Sequence, residues 1–162
     1  MALPLPLAPD APETVEVASQ LFGCTLVVPA SACITTTDGL YGFPGCREWV
    51  LLDARRPGFF WLHSRDERAL PLLLVDPFQA FPDYAVTLSR RDRAALQVQR
   101  ESDVAILAIV TLPSPPSGLP TANLQGPLAV SLRAGLARQI AVGESAWGTR
   151  TAFVVSGAEP AA

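Results

Sequence analysis

The stretch that decides the fold is residues 48–75, EWVLLDARRPGFFWLHSRDERALPLLLV. Three apolar segments alternate here with two polar turns. The segments are residues 48–52, 59–64 and 70–75, and the turns are residues 55–58 and 66–68. Short runs rich in aromatic and β-branched residues, bounded by Gly, Pro and Asp, are typical of strands. Two hairpins in succession therefore predict an antiparallel meander.

Further strand signals lie on both sides of this stretch. Residues 14–19 alternate apolar and polar side chains, and residues 24–28 follow a turn at Phe22 and Gly23, which predicts an opening hairpin. Later strands are predicted at residues 84–88, 103–112, 127–132 and 136–142. Many short strands with turn signals between them predict an all-β fold, a small antiparallel β-barrel-like domain (a pseudo-barrel or sandwich).

One short helix is predicted near residues 90–96. Ser89 and Asp92 stand at the spacing of a capping box, in which each side chain accepts from a free backbone N–H group at the start of a helix. Pro113 and Pro120 bound a loop that follows the apolar residues 103–112.

The length and composition predict one domain with two short extensions. The chain has 162 residues, of which 49% are hydrophobic and 17% charged, enough apolar surface for a real core. We assign residues 1–12 to a flexible N-terminal extension, 13–150 to the barrel domain, and 151–162 to a C-terminal tail, part of which can add an edge strand. The N-terminus has prolines and no basic residue, unlike a secretory signal, and no apolar run is long enough for a membrane helix. We therefore expect a cytoplasmic protein without membrane contact.

The cysteine, histidine and charge inventory excludes several kinds of chemistry. Cys24, Cys33 and Cys46 form no C-x-x-C pair, and the single His63 cannot complete a familiar zinc set, so we predict no metal and no cofactor. Free thiols are the main interpretation, with a Cys24–Cys33 bridge as the alternative. The net charge is −3 and the chain has no Lys, which argues against direct nucleic-acid binding and excludes Schiff-base catalysis.

A catalytic triad around His63 is the enzyme hypothesis that the sequence allows. Ser64 follows His63 directly on a predicted strand, where neighbouring side chains point to opposite faces. The chain also lacks a G-x-S-x-G elbow. We therefore predict no catalytic residues, with a hydrolase built on His63 as an alternative.

A series of short motifs resembles the FliW flagellar assembly factor family. The motifs are GLYGF at 39–43, DPF at 76–78, FPDY at 81–84, VTLP at 110–113, TANLQGPL at 121–128 and RQI at 138–140. The similarity covers about residues 14–150, and the TANL stretch is its most specific part. The resemblance implies a compact β-barrel-like fold with a short helix and no catalysis.

The resemblance also implies partners. Members of the family bind the translational repressor CsrA and relieve its hold on flagellin mRNA allosterically, and they bind flagellin as an alternative partner. We therefore expect a regulator of flagellar assembly that binds proteins and is a monomer when unbound. The alternative is a small β-barrel module for a ligand or RNA, which predicts a basic or deep apolar groove.

The candidate partner-binding residues lie in three places. Asp76, Phe78, Phe81 and Tyr84 belong to the DPF and FPDY motifs, where a strand terminator and core aromatics are the structural alternative. We expect Phe78 in the core, whereas Tyr84 is the better surface candidate because its hydroxyl needs a polar partner.

The other two places are the TANL loop and an acidic turn. Thr121, Asn123 and Leu124 either present a recognition loop or form a turn in which Asn123 bonds the backbone two residues on. Glu101 and Asp103 either contact basic residues of CsrA or form a solvated turn, and we favour the turn.

Overall fold

The computed structural model describes residues 13–67, 70–113, 118–143 and 147–155. The predicted extension at 1–12, residues 156–162 of the predicted tail and the middle of the loop after Pro113 lie outside the described residues. The strands are β1 (Thr14–Ser19), β2 (Cys24–Pro29), β3 (Cys33–Thr36), β4 (Glu48–Asp53), β5 (Phe59–Ser64), β6 (Pro71–Val75), β7 (Ala105–Thr111), β8 (Thr121–Ala122), β9 (Leu128–Ser131), β10 (Leu136–Gln139) and β11 (Thr151–Ala152). The helices are α1 (Pro77–Ala80) and α2 (Arg90–Leu96), and short 3-10 turns lie at Ala30–Ala32 and Glu101–Asp103.

Seven strands close into a barrel, which confirms the predicted all-β class. Strands β3 to β7 form an antiparallel meander, β10 pairs with β3 in parallel, and β9 pairs with both β10 and β7. The second half of β7 pairs with β8, which in turn pairs with β11. The hairpin of β1 and β2 is a separate two-stranded sheet.

Side chains from one face of each barrel strand fill the barrel interior. Trp49 on β4, Leu62 on β5 and Leu74 on β6 are fully buried, as strand alternation with one face inward requires. Leu40, in the GLYGF loop, is 2% exposed and belongs to the same cluster. The pattern of residues 48–75 thus specifies the inner wall directly.

The outer face of the barrel is also apolar and is covered by other parts of the chain. Three outer clusters result, each beneath a different cover. Under the β1–β2 hairpin, Val17 and Val28 pack on Val50. Under α2 and the segment before it, Leu88 and Leu96 pack on Ala129 and Ile140. Under the segments around α1 and β11, the aromatic side chains Phe81, Tyr84 and Phe153 pack on Val75, Ala108 and Val110.

His63 joins the hairpin to the barrel. Its ring is fully buried, with Nδ1 2.8 Å from the Ser64 carbonyl oxygen and Nε2 2.9 Å from the Ser19 hydroxyl. Because a carbonyl only accepts, Nδ1 carries the proton and Nε2 accepts from Ser19. Both ring nitrogens are therefore occupied in a structural contact.

Arg138 joins α2 to the barrel and to the loop after β3. Its Nε donates to Asp92 Oδ1 at 2.9 Å, and its Nη1 bonds Asp38. Ser89 and Asp92 form the predicted capping box, which confirms α2 and its start. Partial burial pushes the pKa of Asp92 upward, but hydrogen bonds from Ser89 and Arg138 outweigh it and hold that pKa below its usual value.

The structure corrects several local predictions. Residues 84–88 are not a strand: Tyr84 and Leu88 are buried and Ala85 and Thr87 exposed, but none of these residues pairs with a strand. The strands β3 and β8 and the one-turn helix α1 were not predicted. All three cysteines are free, which excludes the Cys24–Cys33 bridge in this structure.

We expect Ser19→Ala to destabilise the protein. The substitution leaves the buried Nε2 of His63 without a donor, which costs about 1–3 kcal/mol. Urea denaturation should show this loss, whereas Ser102→Ala, at an exposed position, should unfold like the wild type. Equal stability of the two variants would contradict the assigned hydrogen bond.

We expect Asp92→Asn to remove part of the acid sensitivity of folding. The pKa of Asp92 is lower in the folded chain than its usual 3.8, so its stabilisation is present above that value and is lost as the pH falls through the folded pKa. Urea denaturation at pH 6 and pH 3 should show a stability gap between wild type and variant that shrinks at the lower pH. A gap of the same size at both pH values would contradict the shift, and Asp83→Asn, at an exposed position, is the control.

Candidate partner-binding surface

The structure brings most of the predicted site residues together beside α1. The Tyr84 hydroxyl donates to the Leu124 carbonyl oxygen at 2.7 Å, which joins the FPDY and TANL motifs across 40 residues of sequence. Leu124 is fully buried, and Phe81 is 8% exposed. Phe81, Tyr84 and Leu124 therefore support this surface from beneath.

The DPF motif forms the turn that sets the direction of the aromatic side chains. Asp76 is the N-cap of α1: its carboxylate accepts from Phe78 N at 3.0 Å and from Gln79 Nε2 at 3.1 Å. Pro77 occupies the first turn, where its missing N–H group costs nothing. The turn leaves Phe78 44% exposed and directs Phe81 inward.

An aromatic cluster lies under Phe78. The rings of Phe78 and Tyr84 are 5.7 Å apart, and Trp147 makes edge contacts with Tyr84 and Phe81 at 5.6 Å. Phe153 adds a further edge contact to Phe81 at 5.7 Å. Such pairs are favoured beyond the apolar area that they bury, so Phe78 is presented on a rigid base.

Two expectations about these aromatics were wrong. Tyr84 is 4% exposed, and Phe78 is the ring that reaches the surface. Burial also raises the pKa of the Tyr84 hydroxyl to about 12. The hydroxyl finds its polar partner in the Leu124 backbone, a contact between segments that sequence spacing cannot show.

The TANL stretch forms a short strand followed by a tight turn. Asn123 Oδ1 accepts from Gln125 N at 3.1 Å and from Gly126 N at 2.9 Å, as the turn interpretation predicted. Thr121 lies in β8 and is half-buried. Because a rigid loop also suits recognition, this turn remains compatible with binding.

Gln139 fixes the GLYGF loop beside this turn. Its Nε2 donates to Gly126 O at 2.8 Å, and its Oε1 accepts from Tyr41 N at 2.9 Å. Tyr41 is 70% exposed and borders a shallow depression of about 260 Å³ with Asn123 and Gln125. Tyr41 and Gln139 lie in quoted motifs but were not among the predicted site residues.

The acidic pair lies elsewhere. Glu101 Oε2 accepts from Leu88 N at 3.1 Å and lies 3.8 Å from Arg93 Nη1. Asp103 pairs with Arg100 at 3.5 Å. Both residues support the turn after α2 and take no part in the contacts of the aromatic cluster. The structure therefore divides the predicted set into three parts: the DPF and FPDY motifs with Leu124 beside α1, Thr121 and Asn123 in β8 and the turn that follows it, and the acidic turn.

Within the ranges that the structure describes, no cluster of three or more His, Cys, Asp and Glu could hold a metal ion. No helix in these ranges is long and apolar enough to cross a bilayer. The arrangement is an apolar and polar surface held by hydrogen bonds.

Comparison with known proteins identifies the family. The family model described as FliW protein matches residues 16–153. A flagellar assembly factor FliW of Treponema pallidum is 37% identical over 135 residues, covering 83% of this chain and 89% of the relative. One from Treponema denticola is 35% identical over 118 residues, covering 72% of this chain and 79% of the relative. The chain belongs to the FliW family.

The FliW fold is also evident in three dimensions. A crystal structure of the flagellar assembly factor FliW superposes with a TM-score of 0.75 at 26% sequence identity, covering 85% of this chain and 96% of that chain. The matched residues 16–153 contain the barrel, its covers and the surface around α1. The resemblance seen in the sequence motifs is thereby confirmed.

We expect Tyr84→Phe to weaken the base of this surface. The variant leaves the buried Leu124 carbonyl without its donor, at a cost of about 1–3 kcal/mol. The pKa of Tyr84 rises from 10.0 to about 12 on folding. The contribution of the protonated Tyr84 hydroxyl to the free energy of unfolding is therefore present below pH 10 and is lost as the pH rises towards 12. Urea denaturation at pH 8 and pH 11 should therefore show a smaller pH effect in the variant.

The control is Tyr41→Phe, at a tyrosine that is 70% exposed. It should match the wild type in stability at pH 8. If Tyr84→Phe also matched the wild type there, the hydrogen bond to Leu124 would contribute nothing measurable.

Proposed function

We propose that this chain is a flagellar assembly factor that acts in the cytoplasm by binding proteins and not by catalysis. Its partners are a CsrA-type translational regulator and flagellin, which bind as alternatives. The observation that carries this proposal is the match of the FliW family to residues 16–153, which includes the whole surface around α1.

The contacts around α1 and the GLYGF loop are suited to recognition of proteins. Phe78 is exposed above the buried ring of Tyr84, and Tyr41 is exposed in the GLYGF loop next to the buried Leu40. Aromatic anchors contribute most in protein interfaces. The positions of these two exposed rings are held by hydrogen bonds of Asp76 and Gln139. A surface ordered in advance loses little conformational entropy on binding.

Regulation would follow from competition and coupling. If the chain binds RNA-free CsrA more tightly than RNA-bound CsrA, linkage requires that it weaken RNA binding by the same factor. Flagellin that occupies the chain would then leave CsrA free to repress. This cycle needs only two binding equilibria and no covalent step.

We expect Phe78→Ala and Tyr41→Ala to weaken partner binding. Loss of an aromatic anchor at an interface costs about 1–2 kcal/mol or more, which is about tenfold in the dissociation constant. Isothermal titration with CsrA and with monomeric flagellin of the same organism measures the effect. Val27→Ala, at an exposed apolar residue of the β1–β2 hairpin that is 64% exposed, is the matched control.

The outcomes separate the proposals. Failure of the folded wild type to bind either protein at micromolar concentration would overturn the proposed function. Binding that neither variant weakens would move the interface away from α1 and the GLYGF loop. A salt-sensitive gel shift with single-stranded RNA, without binding to either protein, would favour the RNA-binding alternative.

A further inference from the structure

One sector of the outer barrel wall remains open among the described residues. Trp61 on β5 pairs with Leu73 on β6, so these two side chains lie side by side on the outer face. Val110 on β7, the partner of Leu73, is 8% exposed and belongs to the neighbouring aromatic cluster. On the next strand, Leu52 pairs with Trp61 and packs in the cluster under the β1–β2 hairpin. On the other side, the aromatic cluster covers the wall around Val75 and Ala108. The open sector therefore lies between two covers.

This sector forms a groove of about 200 Å³, here called the Trp61 groove. Its apolar lining includes Phe59, Trp61, Leu73 and Leu112. Leu112 is 59% exposed, and Leu119, which precedes the lining residue Pro120, is 53% exposed. Exposed apolar side chains at a concave apolar surface are typical of interaction sites and not of solvent-facing walls.

The Trp61 groove has a positive charge at its edge. Arg56 is the one charged side chain that lines it among the described residues. Trp and Arg are the residue types most enriched among side chains that dominate protein binding energies, and here they line one groove. Its apolar walls favour aliphatic or aromatic side chains, and Arg56 favours a carboxylate beside them.

We propose that the Trp61 groove docks a segment of a protein partner that carries apolar side chains and an acidic residue paired with Arg56. This inference rests on the proposed function and assigns a second contact surface to it, apart from the surface around α1. A second copy of this chain fits less well, because a symmetric contact through the groove would bring two concave surfaces together and place Arg56 near its own symmetry mate.

The test compares two leucines of similar exposure. Leu112 lines the groove and is 59% exposed, whereas Leu132, in the turn between β9 and β10, is 55% exposed. Leu112→Glu places a negative charge in an apolar site and should weaken binding of flagellin or CsrA at least tenfold in isothermal titration. Leu132→Glu should bind like the wild type, and thermal unfolding should show that both variants are folded.

A second pair tests the charge. Arg56→Gln should weaken binding of the same partner about threefold to tenfold and reduce its dependence on salt concentration, because one ion pair is lost. The control is Arg91→Gln, at an exposed arginine on α2, which should change neither quantity. A loss of affinity with unchanged salt dependence would overturn the assigned carboxylate contact.

The remaining outcomes are distinguishable. If the wild type binds a partner and neither Leu112→Glu nor Arg56→Gln weakens it, the groove proposal fails and the proposed function stands. If the wild type binds neither protein, both fail together. If light scattering shows a concentration-dependent dimer that Leu112→Glu abolishes, the groove is an interface between copies of this chain and the assignment to a partner is overturned.

Discussion

The rest of the structure depends on the closure of the barrel through β10. This strand pairs with β3 in parallel and with β9 in antiparallel fashion, and β9 returns to β7. Closure removes the free strand edges of the wall and buries Trp49 and its neighbours in the barrel interior. It also leaves a wall that is apolar on its outside, because the strands are hydrophobic on both faces. The hairpin, α2 and the segments around α1 each cover part of this outer face, and the Trp61 groove is a part that they leave open.

Two of the covers are joined to the barrel by specific side-chain contacts. The hairpin is joined to the wall by the contact between Ser19 and His63, and α2 by the contact between Asp92 and Arg138. The third cover, around α1, differs because it buries one side of its aromatic cluster and exposes Phe78. Under the proposed function, this segment would both seal the wall and present a binding surface, which would tie partner recognition to stability.

Much of this arrangement was predictable where local chemistry decides it. The strands of residues 48–75 and the capping box at Ser89 follow from alternation, turn residues and side-chain hydrogen bonding within a few residues. The turn at Asn123 is local for the same reason. The strand predicted at residues 84–88 was wrong because alternation indicates which side of a segment is buried and not whether a neighbouring strand pairs with it. The prediction that Tyr84 lies at the surface was wrong because the acceptor of its hydroxyl, the Leu124 carbonyl oxygen, lies 40 residues away in the sequence.

The sequence by itself determined the class of fold, the main strands and the family, because these depend on short patterns and on motifs whose order is visible in the chain. Only the tertiary structure decided which side chains became surface and which became support. Phe78 and Phe81 have the same chemistry and are three residues apart, yet one is 44% exposed and the other 8%. Their difference comes from the turn of α1 against β7 and from Trp147 and Phe153, which reach the cluster from the far end of the chain. The open Trp61 groove has the same origin, since three separate strands must align before it exists.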